Sequence, residues 1–106
     1  MDKANILGTQ YKIIENEYLD NVDGLCDKTT KEIRICKTLS EKPKEGQVKN
    51  MNLYKKSVIR HEVIHALLFE SGLAENCSNH NEQNVDWIAI MYPKMKKIFE
   101  KLGCDE

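Results

Sequence analysis

The strongest constraint in this sequence is a helical repeat of apolar residues in its C-terminal half. Between Met51 and Ser71 the apolar side chains recur three and four positions apart, as they do on one face of an α-helix. Gly72 follows, and glycine often ends a helix because it adopts the left-handed conformation easily. We therefore expect a helix over 51–71 with these residues turned toward a core: Leu53, Val58, Ile59, Val63, Ile64, Leu67 and Leu68.

A second helical pattern begins near Asn79 or Asn81, either of which could cap it, and ends near Leu102. Pro93 lies inside this pattern and is expected to kink or split the helix, because proline cannot donate a backbone hydrogen bond. The second helix is expected to pack on the first through its apolar residues, which include Trp87, Ile88 and Met91.

Three shorter segments before these helices have the composition of β-strands. Residues 11–17 alternate loosely and contain β-forming side chains, and 24–27 and 32–36 flank a short polar break, which indicates a hairpin. The polar stretch 40–50 holds a proline and a glycine and is expected to be an exposed connection. The predicted fold is α+β: a small, mostly antiparallel sheet of about three strands packed beside two main helices.

Length and composition limit the classes of protein to consider. A chain of 106 residues suits one domain, so we expect residues 1–106 to form a single unit. Its 16 basic and 17 acidic residues nearly balance, which argues against a nucleic-acid partner. Without an apolar run long enough for a signal peptide or a membrane span, the sequence predicts a cytoplasmic protein with no membrane partner. In that compartment the four cysteines are expected to be free thiols, although Cys26 and Cys36 could face each other across the hairpin.

The sequence HEVIH at 61–65 lies within the first predicted helix. Residues four apart share one helix face, so the imidazoles of His61 and His65 can bind one ion, for which this pattern indicates zinc. Glu62 projects beside them and is expected to act as the general base that takes a proton from the attacking water. The simpler alternative is a solvated helix with two unrelated histidines.

A catalytic zinc usually has three protein ligands, so a third must come from elsewhere in the chain. Glu82 is our choice, because antiparallel packing of the two helices would bring the start of the second toward the histidines. A first-turn glutamate that only favours the helix dipole is the competing interpretation, and His80 is the alternative third ligand. Asp86 could accept a hydrogen bond from a ligand histidine and fix its orientation. Two histidines and a carboxylate also accept Mn²⁺, Fe²⁺ or Co²⁺.

The segments that carry these residues resemble a known group of enzymes. HEVIHALLFESGL followed by NEQNVDWIAIMYPKM is similar to the small phage and mobile-element metallopeptidases related to the ImmA/IrrE family. ILGTQYKII, GLCD and KEIRIC resemble the strand and hairpin that precede the active-site helix in such proteins, so the resemblance covers most of the chain. It implies a minimal zincin-like metallopeptidase domain of gluzincin type over 1–106. It also implies zinc ligands His61, His65 and Glu82, a general base at Glu62 and a supporting carboxylate at Asp86.

The expected function is therefore that of a zinc-dependent endopeptidase acting on a protein or peptide. In some relatives the activity is cleavage of a repressor, so a regulatory protein is one candidate substrate. Tyr54, about two helical turns before His61, is a candidate for stabilising the oxyanion, with packing as its simpler role. Two rival functions remain. One is a non-catalytic protein in which zinc stabilises a small core, and the other is a module that binds a host regulator on a degenerate peptidase scaffold.

Overall fold

The N-terminal half of the chain folds into a four-stranded sheet. The computed structural model describes residues 2–43, 46, 50–74 and 81–106. Four strands lie in the order β1-β2-β4-β3, where β1 is Lys3–Ile6, β2 is Thr9–Glu17, β3 is Gly24–Asp27 and β4 is Glu32–Cys36. The α+β class is as predicted, and the last three strands match the three predicted segments.

Strand β1 was not indicated by the sequence pattern, so the prediction of about three strands is wrong by one. It pairs antiparallel with β2 through a two-residue loop, in which Leu7 and Gly8 have φ values of 51° and 93°. Such loops favour asparagine or glycine at both positions, because a Cβ disfavours positive φ. With leucine at position 7, the sequence lacks the usual signal for a two-residue hairpin loop. Asn5 supports the loop, since its Oδ1 accepts a hydrogen bond from the Gly8 N–H at 2.8 Å.

The centre of the sheet is parallel, which makes the sheet mixed. Strand β4 runs parallel to β2, with Ile13 in register with Ile33, whereas β3 pairs antiparallel with β4 and forms an outer strand. Ile33 and Ile35 on β4 are 0% and 1% exposed and, being two residues apart, lie on the same face of the sheet, whereas Glu32 and Arg34 on the opposite face are half-buried. Strand β3 lies at the edge of the sheet beside β4, and its residues are all half-buried.

Helix α1 (Met51–Glu70) packs against the sheet. Asn50 caps it, because its side chain accepts a hydrogen bond from the Leu53 N–H at 3.2 Å. The chain leaves the helix through Gly72, whose φ is 80°, as the sequence predicted. Met51, Val58 and Ala66 share one apolar core with the buried residues of the sheet, among which are Ile6, Tyr11, Ile13, Ile33 and Ile35.

Helix α2 (Glu82–Leu102) packs on α1. Asn81 is its N-cap, as one of the two predicted alternatives had it, and its Oδ1 accepts a hydrogen bond from the Asn84 N–H at 2.9 Å. Within this helix, all of which is described, only Val85 and Ala89 are buried. These two residues are one turn apart, so α2 presents a narrow strip to α1.

The prediction that Trp87, Ile88 and Met91 belong to the core is wrong. Trp87 is 57% exposed and Ile88 is 38% exposed, while Met91 is only half-buried. A helix that contacts a single neighbouring helix buries one strip of its surface and leaves the other directions in solvent. The apolar periodicity correctly predicted that α2 is a helix. The prediction overestimated how much of the helix surface other elements would cover.

Proline 93 does not split α2, which continues without a break to Leu102. Because Pro93 has no N–H, the carbonyl of Ala89, four residues earlier, loses the donor that a regular helix would supply. On α1, the Arg60 Nε donates a hydrogen bond to this carbonyl at 2.6 Å. The neighbouring helix thus replaces the hydrogen bond that proline removes.

The cysteines that the structure describes carry free thiols, in line with the prediction. Cys26 lies opposite Ile33 in the hairpin and not opposite Cys36, so the two thiols do not form a bridge across it. Cys77 and five of the eleven residues of the predicted connection, at 44–45 and 47–49, fall outside the described residues. None of the described helices combines the length and apolar character needed to cross a membrane.

Glu70, the last residue of α1, joins the helix to two parts of the sheet. Its carboxylate accepts hydrogen bonds from Thr9 Oγ1 at 2.8 Å, from the buried Tyr11 hydroxyl at 2.7 Å and from Lys31 Nζ at 2.7 Å. The ammonium of Lys31, followed by the two hydroxyls, lowers the pKa of Glu70 to about 2. These bonds hold the C-terminal end of α1 against β2 and the β3–β4 turn.

We expect Glu70→Gln to reduce the dependence of stability on acid pH. The folded-state pKa lies below the ordinary value of 4.5, so the carboxylate adds stability that is fully present above pH 4.5 and is lost as the pH falls toward 2. The wild-type urea midpoint should therefore fall more steeply across this range than that of the variant, which should already be lower at pH 7. Glu100→Gln, on the exposed end of α2, is the control and should keep the wild-type slope. Parallel slopes for wild type and Glu70→Gln would contradict the assignment.

Candidate metal centre

Three side chains from the two helices converge in the space between them. His61 and His65 lie one turn apart on α1, and their Nε2 atoms are 3.2 Å apart. Glu82, the first residue of α2, places Oε2 at 2.8 Å from His61 Nε2 and Oε1 at 3.0 Å from His65 Nε2. Helical spacing accounts for the histidine pair, and the docking of α2 on α1 accounts for Glu82.

The donor set and its spacing fit a small divalent cation. Two imidazole nitrogens and a carboxylate oxygen are ligands that zinc favours, and one ligand atom from each residue lies within 4.8 Å of the others. Tetrahedral bonds of about 2.0 to 2.1 Å would set ligand atoms about 3.3 Å apart, only slightly more than the separations here. In the described part of the chain no fourth histidine, cysteine or carboxylate joins this group. Their role as metal ligands stays a prediction.

Asp86 lies against the other ring nitrogen of His61. Its Oδ1 is 3.3 Å from His61 Nδ1, one helical turn beyond Glu82. A proton on Nδ1 would be shared with this carboxylate, which leaves the Nε2 lone pair directed toward Glu82 and His65. The structure thus brings together four of the residues that the sequence singled out. The alternative ligand, His80, lies outside the described residues.

Glu62 is buried beside this group, with 7% of its surface exposed. Burial raises the pKa of its carboxyl to about 7, against the influence of His61, and the Glu82 carboxylate adds to the increase. A cation held by the neighbouring histidines would lower this pKa and favour the carboxylate. The side chain is therefore placed where it can exchange a proton with a group in the cleft.

Gly24, at the start of β3, lies directly against Glu62. A Cβ added at Gly24 would stand 2.9 Å from Val58 Cγ1 and 3.1 Å from both Cγ and Oε2 of Glu62. The absence of a side chain thus allows β3 to approach α1 at the position of the proposed general base. From the sequence, Gly24 is predicted only to lie in a strand, because one sequence does not show which helix residue a strand will contact.

A cleft of about 560 Å³ opens over these groups. Strand β3 and the segment before it form one wall, and the two helices form the others. Besides the histidines and carboxylates already described, the cleft is lined by Val22, Asp23, Leu25, Cys26, Tyr54, Ser57 and Phe69. The site is accordingly an open groove beside a strand, with the converging ligand atoms on its surface.

Tyr54 lines this cleft and hydrogen-bonds across it. Its hydroxyl donates to Asp23 Oδ2, and this hydrogen bond, with burial, raises the pKa of Tyr54 to about 12. The hydroxyl therefore stays protonated at neutral pH. The hydrogen bond links α1 to the residue that precedes β3, and it was not predictable from either residue alone.

We expect Gly24→Ala to destabilise the protein by about 1 to 3 kcal/mol, because the new methyl group overpacks the contact with α1. The thermal midpoint and the free energy of unfolding in urea measure this loss. Val58→Ala removes the nearest clashing atom, so the loss in Gly24→Ala/Val58→Ala should be smaller than the sum of the two single losses. Strict additivity, or no loss in Gly24→Ala, would show that β3 and α1 are not in tight contact here.

Comparisons with protein-family models, with curated proteins and with solved structures find no match to this chain. The similarity to the ImmA/IrrE-related metallopeptidases therefore stays a prediction from sequence motifs.

Proposed function

We propose that this protein is a zinc-dependent endopeptidase that hydrolyses peptide bonds in a protein or peptide substrate. The observation that carries the proposal is the convergence of His61, His65 and Glu82 within 4.8 Å, beside the buried carboxyl of Glu62. Three ligands leave coordination positions for water and substrate, as catalytic zinc sites require. Other divalent metals that accept this donor set are compatible with the same reaction.

The proposed mechanism assigns separate roles to the side chains. Zinc, when bound, supplies Lewis-acid chemistry, which acidifies a water molecule and polarises a carbonyl group. Glu62 takes the proton of the attacking water and then gives it to the nitrogen of the departing amine. Asp86 holds the ring of His61 through Nδ1, so that Nε2 keeps its direction.

The geometry of β3 favours an extended peptide as substrate. The Asp23 carbonyl accepts a hydrogen bond from the Cys36 N–H at 2.8 Å, and hydrogen-bonded pairs alternate along an antiparallel ladder. The backbone groups of Gly24 and Cys26 are therefore directed away from β4. An extended chain could add to this edge through main-chain hydrogen bonds, which do not depend on its sequence.

The open cleft also bears on the rival functions. A metal that only staples a small core normally has four protein ligands and little access to solvent. Glu82 is instead 75% exposed at the cleft, and the described residues supply three ligands. This favours hydrolysis over a purely structural metal.

We expect Glu62→Gln to keep zinc and the fold but to lower the rate of peptide cleavage about 10²- to 10⁴-fold, because the amide cannot accept the proton. The rate is measured on a pool of quenched-fluorescence peptides with zinc-loaded protein. Glu100→Gln is the matched control on an exposed helix surface and should cleave like wild type. Absence of cleavage by zinc-loaded wild type, or full activity in Glu62→Gln, would argue against the proposed enzyme.

A second prediction concerns the ligands themselves. Glu82→Ala should weaken zinc binding more than Asp86→Asn, for which about a 10- to 100-fold loss is expected because only the orientation of His61 is affected. Competition with a chromophoric chelator gives both affinities. If Glu82→Ala binds zinc as tightly as wild type and His80→Ala does not, His80 replaces Glu82 as third ligand.

A further inference from the structure

Arg60 connects the two helices where α2 has lost an internal hydrogen bond. Its Nε donates to the Ala89 carbonyl at 2.6 Å, and Pro93 has no N–H with which to occupy that carbonyl. Ala89 is fully buried, so its carbonyl would carry the free-energy cost of an unpaired polar group if no donor reached it from outside α2. The contact therefore determines a position along α2 and does more than add attraction between the helices.

This contact lies beside the metal ligands on both helices. Arg60 immediately precedes His61, and Ala89 lies about two helical turns after Glu82 on the side of α2 that packs against α1. Apolar packing does little to fix the position of α2 along α1, since Val85 and Ala89 are the buried residues of α2. The side chain of Glu82 is 75% exposed, so burial does not hold it in place.

We propose that Arg60 is a positioning residue for the metal centre. Through the Ala89 carbonyl that Pro93 leaves without a donor, Arg60 sets the register of α2 along α1 and thereby holds Glu82 against His61 and His65. The inference rests on the proposed function for the identity of the centre, and it adds a residue that neither the HEVIH motif at 61–65 nor the resemblance assigns.

Electrostatics and positioning predict opposite signs for the loss of Arg60. A guanidinium next to a cation site repels the cation, so removal of its charge alone would tighten metal binding. Removal of a register contact would weaken binding, because Glu82 would no longer be held in place for coordination. The sign of the change in affinity therefore separates the two effects.

The test is the zinc affinity of Arg60→Met, measured by competition with a chromophoric chelator. We expect about 10- to 100-fold weaker binding, as for other residues that orient ligands. Lys56→Met is the matched control, since Lys56 is exposed one turn earlier on α1 and its loss removes the same charge. This control should bind zinc as well as wild type or slightly better. Arg60→Lys, which keeps a donor, should recover part of the affinity.

Pro93→Ala separates registration from the cost of an unpaired carbonyl. The alanine N–H can donate to the Ala89 carbonyl within α2, so Arg60→Met should lower the thermal midpoint less in this background than in wild type. The loss of zinc affinity should persist, because the link to α1 is still absent. Complete recovery of zinc affinity in the double variant would overturn a positioning role.

Amide hydrogen exchange of the metal-free protein gives a readout that does not need zinc. Arg60→Met should speed exchange over residues 82–89, where the helix loses its link to α1. If wild type binds no zinc, the proposed function fails, but this measurement still decides whether Arg60 fixes α2. Unchanged exchange, together with zinc binding equal to or tighter than that of wild type, would overturn the inference.

Discussion

The burial of α1 against the sheet is the interaction on which the site depends. Val58 and Ala66 anchor the helix in the core, and Glu62 lies on the same side, where it contacts Gly24 of β3. The spacing of the helix then places His61 and His65 at the border between the sheet and α2. One helix thus presents apolar residues to the sheet and polar residues to the cleft, and a shift of α1 would move all of them together.

The second helix is held differently. Its first two turns carry the carboxylates that meet the histidines, but its packing surface is a narrow strip, so polar contacts contribute much of its position along α1. The hydrogen bond between Arg60 and the Ala89 carbonyl is the clearest of these. The candidate site therefore combines a part fixed by the core with a part fixed by specific contacts between two helices.

Local patterns in the sequence predicted what depends on local spacing. The helices, the β3–β4 hairpin and the proximity of His61 to His65 follow from periodicity over a few residues. Strand β1 was not predicted because Leu7 adopts a positive φ in the loop that follows it, and leucine is not a residue that indicates such a loop. The exposure of Trp87 was missed because a helical pattern does not reveal how many neighbours a helix will have.

In the candidate site, too, contacts set by local spacing were predictable and contacts set by tertiary packing were not. Placing Glu82 near the histidines required only an antiparallel helix pair, whereas the contact of Gly24 with Glu62 depends on how the sheet meets α1. Arg60 was not singled out, although a signal was present: a proline inside a helix leaves the carbonyl four residues earlier in need of a donor. That donor had to come from outside α2, and only the tertiary structure identifies it.

The turn between β3 and β4 shows how one surface residue can be constrained twice. Lys31 has a φ of 58°, a backbone conformation that glycine or asparagine would adopt with less strain. Its ammonium also binds Glu70 at 2.7 Å, and neither glycine nor asparagine could supply that charge. Any replacement that relaxes the backbone therefore removes one of the three hydrogen bonds that hold the end of α1, so mutational tolerance at this half-buried position is governed by a conflict between conformation and electrostatics.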